Sequence, residues 1–208
     1  MTKPSTFPCS SNEDVRRARH TPQQTTREIL IAAEGLFAEH GFAGMSMSGL
    51  AKQLGMSAAT VHKYFGSKRG LAEAVCGLEL ERFAGHMEAA ISTEDGTAVA
   101  LERFAIAVLA YNSGFASPTP KIFELYVFAA QSDWTVFRAF RERVVHLLSK
   151  VLQAGEVRGD VRVGAAECVE QVFDGFSAIL HPLVVRDFRY QGGGRAPALA
   201  RFLYQALQ

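Results

Sequence analysis

The stretch SGLAKQLGMSAATVHKYFGSKRGL, Ser48 to Leu71, decides how the rest of the chain is read. It holds two short apolar patterns at helical spacing, split by Gly55 and a serine, and it ends on a basic helix start. Ala51 is small enough for a crossing backbone to pass over it, so it marks the closest approach of two helices. With Ala51 set there, Leu50, Leu54, Met56, Val61 and either Tyr64 or Phe65 point inward. Gly55 directly follows Leu54, where the first helix must turn sharply and a positive φ is wanted. Ser57 then caps the second helix. This is the spacing of a helix-turn-helix, and each position has its own steric or capping reason.

The outer face of the second helix carries the chemistry. Ala58 and Ala59 are too short to hold the helix off a groove, while Thr60, His62 and Lys63 are free to reach bases or phosphates. Ser67 and Lys68 open a further helix whose free amides, helped by a cation, make a phosphate site. Ser46 and Tyr64, with Ser57, complete the DNA-facing set. The competing reading leaves Lys63 and Lys68 solvated and Thr60 bonded within its own helix.

Length and composition permit this without arguing for it. The 208 residues are 48% apolar and 21% charged, enough to bury a substantial core. No apolar run reaches the roughly 18–20 residues that cross a bilayer, and residues 1–20 lack the apolar centre of a secretory signal. Those first residues read as a mobile arm, with Arg16, Arg17 and Arg19 as its basic cluster. Cys9, Cys76 and Cys168 stand far apart, giving neither a zinc-site pair nor an even disulfide set, and a reducing cytoplasm is the expected home. Residues 1–75 hold nine basic against six acidic side chains, whereas the whole chain nets +1. That asymmetry allows a polyanion partner but is common in proteins that never touch nucleic acid.

Elsewhere the periodicity is helical throughout. A capping box at Thr25 and Glu28 opens a helix over about 25–40, with Gly41 as its stop. A helix of about 20 residues follows Gly70, and others are expected over 98–113, 121–130, 134–152, 165–186 and 196–207. The prolines of SPTP at 117–120, the glycines of AGEVRGDVRVG and the loop QGGG separate them. There are no convincing period-2 strands and no internal repeat, so the fold class is all-α, with nine or ten helices.

The run ILIAAEGLFAEHGFAGMSMSGLAKQLGMSAATVHKYFGSKRGLAEAV, within about Thr25 to Val75, resembles the DNA-binding domain of the TetR (tetracycline-repressor) family of transcriptional regulators. The resemblance rests on A-x-x-L-F-x-x-x-G-F, then L-A-x-x-x-G-M-S, then F-x-S-K-x-x-L, and covers the N-terminal quarter plus a connecting helix. It implies a homodimer with one helix-turn-helix per protomer and a C-terminal helical domain that binds a small effector. It also implies repression as the common mode, with two recognition helices in successive major grooves about 34–36 Å apart. The family usually has tyrosine where this chain has His62, a position that often meets the DNA backbone. Histidine changes charge near neutral pH, so operator affinity is expected to be more pH-sensitive here. The domains on this reading are an arm at 1–22, a DNA-binding domain at 23–68 and an effector and dimerisation domain at 69–208.

For the C-terminal half the resemblance gives architecture but no ligand. Phe104, Tyr111, Phe123, Tyr126, Phe128, Trp134, Phe137 and Phe140 crowd the central helices. An aromatic stripe is more often core than pocket. Their density nonetheless points to an apolar or aromatic effector, with Phe104, Tyr111, Phe123, Tyr126, Trp134, Phe137, Phe173 and Phe176 as the candidate pocket. Tyr111, Asn112, Glu124, Gln131 and His181 are polar groups that could orient it. Val169, Val172, Phe173, Phe176, Leu180 and Leu183 form one long apolar face, and Leu199, Phe202, Leu203, Ala206 and Leu207 another. Such faces fit a two-fold four-helix dimer interface built from Val169, Val172, Phe176, Leu180, Leu183, Leu199, Phe202, Leu203 and Ala206.

Enzymatic readings find little support. The H-x-E of AGHME lacks a following P-C-x-x-C, FGSKRG lacks the spaced glycines of a P-loop, and Ser177 in GFSAI has no elbow glycine after it. No cofactor and no metal is expected. The expected partners are a double-stranded DNA operator, a small-molecule effector and a second copy of the chain, with no membrane. Two alternatives stay open: a helical small-molecule-binding protein with a vestigial helix-turn-helix, and a regulator controlled by a protein partner.

Overall fold

The computed structural model describes residues 21–116, 120–180 and 194–208. Among them the regular elements are α1 (Pro22–Gly44), α2 (Met47–Gln53), α3 (Ala58–Phe65), α4 (Lys68–Ala90), α5 (Thr97–Ala116), α6 (Pro120–Gln131) and α7 (Thr135–Arg158). A 3-10 turn (Ala165–Cys168), α8 (Val169–Leu180) and α9 (Arg195–Gln205) complete them. The arm's arginines, Cys9, Ser117 to Thr119, His181 and Leu183 lie outside the described residues.

Helix α1 starts one turn earlier than the sequence reading puts it. Thr21 accepts the Gln24 amide at 3.2 Å, and the Gln24 side chain accepts the Thr21 amide at 2.8 Å. Both Thr21 and Thr25 head a capping-box pattern, and Pro22 decides between them because its fixed φ suits the first helical position. Thr25 is thereby one turn inside the helix and buried. Gly41 does leave the helical conformation, at φ 71°, before a last turn reaches Gly44.

Two apolar cores hold the helices. The first joins Ile29, Ala33 and Phe37 of α1 to Leu50, Ala51 and Val61 of α2 and α3, and adds Leu71, Val75 and Cys76 of α4. Ile122, Leu125 and Ala129 of α6 and Trp134 belong to it as well, so α6 lies along α1, where Lys121 Nζ donates to the Glu39 carbonyl at 2.6 Å. The second core joins Phe83 and Met87 of α4 to Leu101, Phe104 and Val108 of α5, Leu148 and Leu152 of α7, and Phe176 and Ile179 of α8. Each large apolar side chain fully enclosed here contributes about 1.5–3 kcal/mol. Helix α4 puts its first half in one core and its second half in the other, which makes it the structural link between them.

Two later boundaries differ from the sequence expectation. Gly155 does not end α7, which continues to Arg158 and stops at Gly159 in the left-handed region, φ 75°. Gly155 is instead a buried contact, because a Cβ there would run into the Thr97 hydroxyl and the Asp160 carboxylate. The helix expected over 165–186 begins as a 3-10 turn and becomes α-helical at Val169.

Candidate functional site

The reading head is set by local caps. Ser46 Oγ accepts the Gly49 amide at 3.1 Å, Ser57 Oγ accepts the Thr60 amide at 3.1 Å, and Ser67 Oγ accepts the Gly70 amide at 3.0 Å. Gly55 takes φ 65° between α2 and α3, as the turn requires. Ala51 is buried and its carbonyl accepts the Met56 amide at 2.9 Å, so the two helices close over it. Of the two alternatives for the inward aromatic, Phe65 packs against the core while Tyr64 is 37% exposed.

On the outer side, Ser57, Ala59, His62, Lys63 and Tyr64 are exposed, with Ala58 and Thr60 half-buried and Ser46 exposed at the start of α2. Several of these side chains already hold local bonds. The Thr60 and Ser57 hydroxyls are 2.8 Å apart. His62 Nδ1 lies 3.2 Å from the Gly66 carbonyl, at the end of its own helix. Lys68 Nζ donates to the Ala43 carbonyl at 3.1 Å and sits over the Phe42 ring at 4.8 Å, tying the start of α4 to the end of α1. Of the two candidate phosphate-binding lysines, Lys63 is the one left projecting into solvent while Lys68 is drawn onto α1.

Behind the head, α4 forms one wall of an apolar cavity of about 200 Å³. Tyr111, Tyr126, Phe137 and Phe173 of the expected pocket line it. Phe104, Phe123, Trp134 and Phe176 do not. Phe104 and Phe176 pack on each other at 5.0 Å in the second core, and Trp134 meets Phe128 edge-on at 6.1 Å while Arg69 covers its ring. Phe123 is buried away from the cavity. The sequence reading missed Glu79, Leu80, Phe83, Phe140, Arg141 and Leu180 as lining residues. A signal for Glu79 was present: it sits among Val75, Cys76, Leu80 and Phe83, an acid on the apolar stripe of α4.

Glu79 is 8% exposed and bonded through both carboxylate oxygens. Its Oε1 accepts the Tyr111 hydroxyl at 2.6 Å and its Oε2 accepts Arg82 Nη1 at 3.0 Å. Arg82 in turn forks onto Glu34 of α1 at 2.8 and 3.4 Å. Burial, then the bond to Glu79, raises the Tyr111 phenol above the ordinary tyrosine range. The hydrogen bond to Glu34 raises the Arg82 guanidinium further still, so it is permanently charged. Burial, and secondarily Glu73, pushes the Cys76 thiol up to about 12, which makes it an inert core group.

The expected dimer faces are divided. Val172, Phe176 and Leu180 are buried within the protomer, because α8 lies against α5 and α7. Phe176 is wholly enclosed and reaches neither the cavity nor the surface. Val169, Leu199 and Leu203 are half-buried, Ala206 is exposed, and Phe202 is 67% exposed. Among the described residues no helix is long and apolar enough to cross a membrane.

Comparison with known proteins agrees with this arrangement. Residues 29–75 match the family described as "Bacterial regulatory proteins, tetR family", and residues 98–197 match "Tetracyclin repressor-like, C-terminal domain". The HTH-type transcriptional repressor ComR of Escherichia coli (strain K12) is 31% identical over 86 residues, a stretch spanning 41% of each protein. The TetR family transcriptional regulator PfmR from Thermus thermophilus is 27% identical, with 86% of this chain and 96% of that one covered at a TM-score of 0.54. A transcriptional regulator from Cytophaga hutchinsonii ATCC 33406, 20% identical, shares the fold at a TM-score of 0.64 over 88% of this chain and 98% of that one. With an N-terminal helix-turn-helix and a C-terminal helical domain both matched, the chain belongs to the TetR family of DNA-binding transcriptional regulators.

Proposed function

We propose that the protein is a homodimeric, cytoplasmic repressor that a small apolar or aromatic effector releases from a near-palindromic operator. The observation carrying this reading is that α4 is both a wall of the 200 Å³ apolar cavity and the helix that follows the reading helix α3. A ligand that prefers a different tilt of α4 changes the separation of the two reading heads, and it shifts the balance only by its differential affinity for the two states. Residues 23–68 act as the reading domain and 69–208 as the effector and dimerisation domain, behind an arm at 1–22.

In this reading the exposed side of α3 enters the major groove. Ala58 and Ala59 allow close approach, His62, Lys63 and Tyr64 supply backbone and edge contacts, and Ser46 and Ser57 bring helix starts toward phosphates. Thr60 reads through its own hydroxyl, which is hydrogen-bonded to that of Ser57. Lys68 acts by fixing the junction of α1 and α4 beside the backbone rather than as a free arm. The half-buried Val169, Leu199 and Leu203 with the exposed Phe202 and Ala206 form the face that meets the second copy.

The test is selection of bound sequences from a random duplex pool, followed by affinity measurements at several salt concentrations. The expected result is an enriched near-palindrome whose binding weakens steeply with salt, and Lys63→Gln lowers the salt slope by about 1 for each phosphate that the lysine neutralises. Enrichment of no sequence, or a salt-independent interaction, would remove the DNA-reading role from this head.

A further inference from the structure

The hydroxyls that line the cavity have their hydrogens committed elsewhere. The Tyr111 hydroxyl gives its hydrogen to Glu79, and Ser177 Oγ gives its hydrogen to the Asp174 carbonyl at 2.6 Å. The Asn112 amide donates to the Ile179 carbonyl at 2.9 Å. The donor at the mouth, Arg141, is ion-paired with Glu170 and lies 5.0 Å from the Phe173 ring centroid. A ligand entering here therefore meets the hydroxyl lone pairs of Tyr111 and Ser177 and the Glu79 carboxylate, set in an aromatic wall.

The formal charges point the same way. Arg141 and Glu170 cancel. On the solvent side of Glu79, one partly exposed guanidinium, Arg82, serves two carboxylates, Glu34 and Glu79, leaving that triad at one net negative charge. The fork of Arg82 is directed at Glu34, and Glu79 receives a single bond from it. Each carboxylate oxygen accepts two hydrogens, so Glu79 keeps capacity for a further donor. Phe83 and Tyr111, stacked at 4.7 Å, and Phe140, stacked 5.4 Å from Phe83, make the wall beside Glu79 aromatic and apolar, where a charge pair is little screened.

We propose that the cavity recognises a hydrophobic amine, its aromatic or alicyclic body enclosed by Phe137, Phe140 and Phe173 and its protonated nitrogen held by Glu79. The amine supplies the positive charge that the Glu34, Arg82 and Glu79 triad lacks. It also competes with Arg82 for Glu79, and so acts on the bridge by which α4 holds Glu34 of α1. The proposal rests on the cavity being the effector site and adds the chemical class that site selects.

Three probes of one skeleton test it on the full chain by titration calorimetry at pH 7: 4-phenylbutylamine, 4-phenylbutan-1-ol and 4-phenylbutyrate. The expected order is amine over alcohol by about tenfold or more, with the carboxylate weakest, because desolvated charge pairing outweighs a neutral hydrogen bond. Glu79→Gln, which keeps the side chain's shape and an acceptor for Tyr111, is expected to bring the amine down to the level of the alcohol. Equal affinities, or a preference for the carboxylate, overturn the charge selection while leaving the cavity as an apolar effector site. No binding by any of the three at millimolar concentration overturns both. The ranking on the unmodified chain decides the matter even if Glu79→Gln fails to fold.

Discussion

The reading head and the body start their helices by different means. In the head, Ser46, Ser57 and Ser67 each cap the helix that begins at the next residue, accepting an amide three positions on. In the body, α5 is capped by Asp160, whose carboxylate accepts the Thr97 amide at 2.9 Å and the Thr97 hydroxyl at 2.8 Å. Helix α7 is capped by Glu73 of α4, which accepts the Thr135 amide at 3.0 Å, while its own N-cap residue Trp134 provides no side-chain bond. A local cap needs only residues within one turn of the helix start. Caps supplied from more than sixty residues away form only when the whole body closes, so the body's helix starts are products of the fold.

The largest expected effect tests whether the head's junction is as rigid as its caps imply. Gly70 lies in the first turn of α4, where a Cβ would run into the carbonyl oxygen of Phe65 at the end of α3. Backbone cannot yield as a side-chain tip can, so Gly70→Ala is expected to cost about 3 kcal/mol and to weaken operator binding with it. Gly85, farther along the same helix, has open space around it, and Gly85→Ala is expected to stabilise by about 0.5–1 kcal/mol. Urea denaturation of the two variants checks the pair. A Gly70→Ala protein as stable as the parent would mean that α3 and α4 move freely against each other.

Next in size is the long-range cap itself. Asp160→Ala strands the amide and hydroxyl of Thr97, which has no exposed surface, and is expected to cost about 2 kcal/mol. Ser57→Ala, removing a local cap at an exposed helix start, is expected to cost about 1 kcal/mol. The two differ in pH dependence as well. Burial opposes ionisation of Asp160, but the Thr97 amide and hydroxyl and Arg158 outweigh it and hold the carboxyl below the usual aspartate value. A depressed carboxylate stabilises fully above its unfolded value and loses that contribution as pH falls through the folded one. The gap between parent and Asp160→Ala is therefore wide at pH 7 and closes below about pH 4, whereas the Ser57→Ala gap stays constant. Equal gaps at every pH would show that Asp160 acts by packing alone.

The same contrast explains how much could be read from the sequence. Gly55, Ser57, Ala51 and Val61 were legible because each answers a constraint within a few residues: a turn, a cap, a close approach, a core position. The cavity was legible only as aromatic density. Four of its eight expected aromatics line it, because helical periodicity says which residues face inward but not whether inward means cavity or filled core. Phe104 and Phe176 fill their space against each other, while Phe137 and Phe173 border an opening. Glu79 was hidden for the opposite reason: a charged residue on an apolar stripe has meaning only with its partners, Tyr111 and Arg82, in place. The cap at Thr21 was missed within a local signal, because two overlapping patterns fitted and Pro22 settled the register.

The smallest expected effect lies in the head, at a local bond that composition does not announce. The Gly66 carbonyl can only accept, so the 3.2 Å contact puts the ring hydrogen of His62 on Nδ1 and leaves Nε2 bare in the neutral form. A bare nitrogen offers nothing to a phosphate, which also only accepts. His62→Tyr places a hydroxyl donor at the same position and is therefore expected to tighten operator binding by about 0.5 kcal/mol per site. Binding isotherms for both proteins on the selected operator at constant salt and pH measure the difference. Equal affinities would place His62 away from the phosphates and leave Lys63 as the α3 side chain that holds the DNA backbone.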